Sequence, residues 1–214
     1  MSAAEATRES GAEVIRHKLR DLANRTVINP SIGLLTALHI TPNQITVAGL
    51  LGSALAGAVL GWGHLRIGGA LVLGGSALDM LDGALARATG KSSKVGALLD
   101  SVVDRLAEAL ILLGLLIYFA RLGSLQEIIL IFLSFVASVL VSYVKARAEG
   151  LGIPCNVGIV TRPERIILLG VGLLVGQVTP FLYILTILSF QTALHRFWHS
   201  MREANKQVQA ARGA

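Results

Sequence analysis

Charge is scarce in this chain. Acidic and basic residues make up 15% of its 214 residues, where a soluble globular domain carries about 25%. With 53% hydrophobic residues and a mean hydropathy of +0.67, that shortage excludes an ordinary water-soluble domain and points to an integral membrane protein. Aromatic residues are also few, 5%, so Leu, Ile, Val and Ala carry the apolar content beside 23 Gly. Small residues at that level suit helices packed closely in lipid. The single cysteine, Cys155, excludes an intramolecular disulfide and reads as a structural thiol. The first 40 residues are polar and charged. They lack an apolar core with a small-residue exit, so no cleavable leader is expected.

What is present is a series of long uncharged runs. Residues 45–65, 128–144 and 166–194 contain no Asp, Glu, Lys or Arg. A spanning helix needs roughly 20 apolar residues, and the last run is too long for one upright helix. Pro180, after "GQVT", is expected to divide it. The expected fold is an all-α integral membrane protein with six transmembrane helices, near 43–62, 66–89, 94–120, 126–149, 163–178 and 180–199. An N-terminal amphipathic interfacial helix is expected over 12–25, "AEVIRHKLRDLANR". The implied organisation is a cytoplasmic N-terminal segment over 1–40, a six-helix domain over 41–200 and a cytoplasmic tail over 201–214.

The basic residues orient these spans. Sixteen of the 19 flank one side, from Arg8 to Arg25, at Arg87, Lys91 and Lys94, at Lys145, Arg147, Arg162 and Arg165, and from Arg196 to Arg212. Arg66 and Arg121 fall on the other side. The bias places both termini and the basic loops in the cytoplasm. The net charge of +6 is then a one-sided field facing anionic headgroups or an anionic substrate. Nucleic acid is not expected as a partner, because the basic residues flank spans and build no soluble basic domain. Trp62 and Trp198 read as interfacial anchors.

Against this background "LDMLDGALARATGKSSKVGALLDSVVDRLAEAL", residues 78–110, is anomalous. Asp79 and Asp82 are three apart, and Asp100 and Asp104 four apart, so each pair shares a helix face. A turn near "TGKSS" makes the two helices antiparallel neighbours, with both pairs near the cytoplasmic end. Four carboxylates facing one another in low dielectric must be neutralised. Oxygen-only ligands suit hard divalent ions, and two such ions sharing four aspartates is an arrangement that clamps phosphoryl groups. Glu108 extends the polar face and is expected to pair with Arg105 or Arg87.

The pattern Asp79-x-x-Asp82-Gly83-x-x-Ala86-Arg87, eight residues, Gly96-x-x-x-Asp100-x-x-x-Asp104 resembles the signature of the CDP-alcohol phosphotransferase family, with every fixed position met. The resemblance implies transfer of a phosphatidyl group from CDP-diacylglycerol to a hydroxyl, with release of CMP. It implies two Mg2+ (or Mn2+) ions on Asp79, Asp82, Asp100 and Asp104, with Asp104 as general base. It implies nucleotide contacts from Thr41, Pro42, Asn43, Gln44, Gly83, Arg87 and Ser93. It also implies a homodimer in the cell membrane, with the active site cytoplasmic.

The loop reading "SYVKARAEGLG" and "GIVTRPERIILL" resembles the phosphatidylinositol phosphate synthase branch and its archaeal lipid relatives. Inositol 1-phosphate is then the expected acceptor, its phosphate held by Lys145, Arg147, Arg162, Arg165 and Arg196. Anionic acceptors call for such residues, Arg offering bidentate contacts. Bacterial members carry a further Arg near the end of the last span; here Arg196, in "FQTALHRFWH", stands a few positions away. Glycerol 3-phosphate is the alternative acceptor, and CDP-archaeol or CDP-inositol the variant donors. A divalent-cation transporter is the competing class. It calls for midplane sites and often repeated halves, whereas the aspartates cluster near one face and no repeat is visible.

Overall fold

The computed structural model describes Gly33, residues 41–88 and residues 93–213, without the side chains of residues 80, 82, 83, 86–88 and 211–213. The helix expected over 12–25 lies outside the described residues. Six helices follow: α1 Pro42–Gly61, α2 Leu65–Ala88, α3 Lys94–Arg121, α4 Leu125–Gly150, α5 Arg162–Val175 and α6 Val178–Gly213. Their starts are written in side-chain chemistry. Thr41 opens α1 with a capping box, its N–H donating to Gln44 Oε1 at 2.8 Å while Gln44 N–H donates to its hydroxyl. Ser93 caps α3 by accepting the Gly96 N–H at 3.0 Å. Thr161 and Glu164 repeat the capping box at α5.

The long uncharged run divides at Gly176, and Pro180 lies in the first turn of α6. Gly176 ends α5 with φ +76, a conformation that costs glycine no Cβ clash. Proline is tolerated in a first turn, where its missing N–H has no intrahelical partner to lose. α6 continues to Gly213, so the tail expected from 201 is helix continuous with the last span.

Among the described residues three helices are long and apolar enough to cross a membrane: α1, α4 and α6 over Val178–Ala210. Carboxylates and arginines interrupt the apolar runs of α2 and α3. α5 has 14 residues, a length of about 21 Å at 1.5 Å per residue. Outward-facing apolar side chains are nonetheless abundant. On α3, Val95, Leu98, Val102, Leu106, Leu113 and Ile117 form one exposed stripe, from 74% exposed at Val95 to 39% at Ile117. At 100° per residue the stripe lies opposite Asp100, Asp104 and Glu108.

The core runs through Leu60 of α1, Leu115 of α3, Leu173 of α5 and Leu182 of α6, each fully buried. α1 packs on α2 and α3, α4 on α3 and α6, and α5 between α2 and α6. The α1–α3 crossing is a backbone contact: a Cβ on Gly114 would overlap the Gly57 carbonyl, and one on Gly57 the Leu110 carbonyl. Polar side chains join helices elsewhere, Ser134 to Thr186 at 2.7 Å and Thr179 to Glu127 at 2.9 Å. Consecutive helices reverse direction, so the starts of α1, α3 and α5 meet the ends of α2 and α4 at one end of the bundle.

The crossing yields a stability prediction. Gly114→Ala must push α1 away, and overpacking of this kind costs about 1–3 kcal/mol. Unfolding of the variant in detergent is expected at a lower temperature than that of the native sequence. An unchanged unfolding temperature would mean that the close approach is dispensable.

Candidate active site

At that end a cavity of about 150 Å³ is lined by Ser76, Asp79, Asp100, Asp104, Arg162, Pro163 and Ile166. Helical spacing brings these residues together. Ser76 and Asp79 are one turn apart on α2, Asp100 and Asp104 one turn apart on α3, and Arg162 opens α5. The Arg162 guanidinium bridges two of the three helices, with Nη2 2.9 Å from Asp79 Oδ2 and Nη1 2.5 Å from Asp104 Oδ1. Its Nε is buried and has no hydrogen-bond partner among the described residues. Asp79 reaches this position beside Gly49 of α1, where a Cβ would stand 2.7 Å from its Oδ1. Arg105 approaches Asp104 more loosely, at 3.6 Å.

One turn deeper lies a second ion pair. Arg165 donates from Nε and Nη2 to the two oxygens of Glu108, at 3.2 and 3.1 Å, and from Nη2 to Ser138 Oγ at 2.9 Å. It is 2% exposed. Among the described residues Glu108 therefore pairs with Arg165 and not with Arg105. Arg105 turns its guanidinium to the Ser101 carbonyl and Asp104, and the Arg87 side chain lies outside the described residues. Glu108 follows Asp104 by four and Arg165 follows Arg162 by three, so the pairs form two rungs between α3 and α5. The deep rung is sealed, and the shallow one faces the cavity.

The residues expected to bind the acceptor phosphate separate in space. Arg162 lines the cavity. Arg165 is one turn behind it, its donors committed to Glu108 and Ser138. Arg196 donates to the carbonyls of Val157 and Val141, both at 2.8 Å. It ties the loop after α4 to the bundle, beside Gly158 and the Val160 N–H to Thr192 bond. Lys145 pairs with Glu149 at 3.7 Å, and Arg147 is exposed. The nucleotide segments expected from the N-terminal side do converge. A Cβ on Gly96 would lie 3.2 Å from Ser93 Oγ and 3.6 Å from Asn43 Oδ1, so the starts of α1 and α3 adjoin. The side chains of Asp82, Gly83 and Arg87 lie outside the described residues.

Sequence reasoning missed Ser76, Gly49 and the Glu108–Arg165–Ser138 cluster. The turn spacing of Ser76 from Asp79 was a usable signal. The partner of Glu108, 57 residues away, left none.

The donor set suits a hard divalent ion, all of it carboxylate oxygen. A guanidinium drawn between Asp79 and Asp104 marks the same spot as favourable for positive charge. Among the described residues no three His, Cys, Asp or Glu side chains close on one point; Asp82, one turn from Asp79, lies outside that set.

The chain is similar to known proteins. The family model described as CDP-alcohol phosphatidyltransferase matches residues 39–198. The archaetidylinositol phosphate synthase of Pyrococcus horikoshii is 40% identical over 176 residues, 82% of this chain and 89% of that protein. The phosphatidylinositol phosphate synthase of Mycobacteroides abscessus is 37% identical over 148 residues, 68% of this chain and 67% of that protein. Among solved structures, the Mycobacterium tuberculosis phosphatidylinositol phosphate synthase with CDP-DAG bound superposes with a TM-score of 0.76 at 29% identity, over 81% of this chain and 93% of that one. The same enzyme with manganese and citrate gives 0.74 at 28% identity, over 82% and 89%.

The deep rung carries a prediction of its own. Glu108→Gln leaves the Arg165 charge buried without its partner, a loss of about 3–5 kcal/mol. The double replacement Glu108→Leu with Arg165→Met removes both charges and is expected to recover most of it. Denaturant unfolding in micelles distinguishes the two; equal destabilisation by both would show that the pair does not act as a unit.

Proposed function

The chain belongs to the CDP-alcohol phosphatidyltransferase family, and from that premise we propose that it moves the phosphatidyl group of CDP-diacylglycerol to a hydroxyl of inositol 1-phosphate, giving phosphatidylinositol phosphate and CMP. The observation that carries the reading is the cavity where Asp79, Asp100 and Asp104 meet Arg162. It joins an acidic, metal-suited wall to a guanidinium suited to phosphate. The relatives named for inositol phosphate products support the acceptor.

The acceptor oxygen attacks the lipid-side phosphorus, the bond to CMP breaks, and the hydroxyl proton passes to Asp104. Asp104 stands on the cavity wall one turn from Asp100, where it reaches a hydroxyl beside the pyrophosphate. When bound, divalent ions, taken as two Mg2+ or Mn2+ on Asp79, Asp82, Asp100 and Asp104, neutralise the pyrophosphate and ease departure of CMP. Thr41, Pro42, Asn43, Gln44 and Ser93, with Gly83 and Arg87, form the nucleotide side. There the starts of α1 and α3 present backbone N–H groups and positive dipole ends to phosphate. Arg162 holds the acceptor phosphate. Arg165 and Arg196 serve it from behind, by fixing α5 and the loop that precedes it.

The finer membrane reading is six spans with both termini and the site in the cytoplasm, in a homodimer. The basic-residue bias supports the orientation. The exposed apolar stripe of α3 supports a lipid-facing surface on a helix whose other face carries carboxylates.

The test is CMP release by purified protein with Mg2+, with CDP-diacylglycerol or CDP-archaeol as donor and inositol 1-phosphate, glycerol 3-phosphate, inositol or serine as acceptor. Release is expected with inositol 1-phosphate. It should fall roughly 10²–10⁴-fold in Asp104→Asn, the usual contribution of a positioned base, and stop with EDTA. Turnover with glycerol 3-phosphate alone would replace the acceptor. No CMP from any pair would overturn the reading.

A further inference from the structure

We infer that Arg162 is an exchangeable counter-ion. It neutralises Asp79 and Asp104 until a divalent ion claims those carboxylates, and is then released to the acceptor phosphate, so that metal loading and acceptor binding are coupled. The inference rests on the phosphatidyl-transfer reading above and adds an order of events to it.

Four observations carry it. The same guanidinium makes both contacts, to Asp79 at 2.9 Å and to Asp104 at 2.5 Å, and so occupies an oxygen of each. Asp79, Asp104 and the guanidinium line one cavity of about 150 Å³, and a divalent ion placed on the same two carboxylates would repel the guanidinium at close range. The buried Nε of Arg162 has no partner among the described residues, so toward them this arginine keeps a donor in reserve. Finally, the helix it stands on is anchored independently. Thr161 and Glu164 cap α5, Thr161 N–H donating to Glu164 Oε2 at 2.8 Å. One turn on, Arg165 is locked to Glu108 and Ser138. The long side chain can therefore leave the aspartates while α5 stays where it is.

An arginine paired with two carboxylates is a poor phosphate ligand, because its best donors are already used. A divalent ion frees it, and thermodynamic linkage then requires the acceptor to raise metal affinity by the same factor that the metal raises acceptor affinity. The exchange also keeps Asp79 and Asp104 in contact with a cation throughout, first the guanidinium and then the ion.

The experiment measures binding, not turnover. Full-length protein in detergent, stripped of metal, is titrated with Mn2+ and free Mn2+ is followed by EPR, with and without inositol 1-phosphate and with no CDP-lipid present. Calorimetry reads inositol 1-phosphate binding in the same mixtures, and the unfolding temperature controls for folding. In the native sequence each ligand is expected to tighten the other. Arg162→Gln should bind Mn2+ about tenfold more tightly, a difference of about 1.4 kcal/mol, and lose most of the coupling. Arg162→Lys keeps the charge but cannot bridge two carboxylates. It is expected to resemble Arg162→Gln in Mn2+ affinity, which simple charge repulsion does not predict. Native Mn2+ affinity in both variants, or in Arg162→Lys alone, would overturn the counter-ion role and leave the transfer reading standing. Unchanged inositol 1-phosphate affinity in Arg162→Gln would instead overturn the release to acceptor, together with the place given to Arg162 in the proposed function.

Discussion

The contact between Arg165 and Glu108 decides where the site can be. α5 is short, and its first turn must reach a cavity built by α2 and α3. A guanidinium at 2% exposure tolerates almost no displacement, because leaving its carboxylate would strand two charges in low dielectric. That rigidity is passed along the helix. With Arg165 held against α3, the residue three positions earlier faces α3 one turn nearer the cavity, where Asp104 stands four positions before Glu108. The shallow pair thus inherits its alignment from the deep one. Ser138 of α4 donates no charge but joins a third helix to the same point.

α3 has to satisfy two solvents at once. One face carries Val95, Leu98, Val102 and Leu106 outward, and the other carries Asp100, Asp104 and Glu108 inward. Such a helix is stable only with its polar face covered. Arg162 and Arg165 of α5 reach those carboxylates, α4 packs beside α3, and α1 presses against it where Gly57 and Gly114 remove the side chains that would hold them apart. The close crossing and the acidic cluster are therefore parts of one solution. Without van der Waals contact of this kind, helices in lipid gain little from association.

Much of this was legible in the sequence, for identifiable reasons. Helix boundaries followed from runs without charge, and the caps that the structure shows at Thr41, Ser93 and Thr161 are local chemistry as well. The aspartate faces followed from turn spacing, which is local too. The division of the last run was displaced because proline was weighted above glycine, yet Gly176 ends one helix and the next begins at Val178, with Pro180 in its first turn. The basic residues were harder. Lys145, Arg147, Arg162, Arg165 and Arg196 look alike in sequence, and only packing separates a cavity residue from a buried strut or a loop tie. Charge type is written locally, whereas burial depends on partners 27 to 57 residues away.

The sign of the cavity favours cations on physical grounds and not merely by kinship. Three described carboxylates face one guanidinium there, so the wall is net negative before any substrate arrives. A CDP-lipid adds about two more negative charges at the pyrophosphate, and a phosphorylated acceptor adds others. Like unit charges 4 Å apart repel by about 4 kcal/mol at an effective dielectric of 20. Several such pairs exceed what the binding of a polar headgroup supplies. Arg162 can offset one charge, and while it serves Asp79 and Asp104 it offsets none on the substrates. The described residues of the cavity thus leave negative charge in excess, and their carboxylate oxygens suit a small hard ion that would offset it.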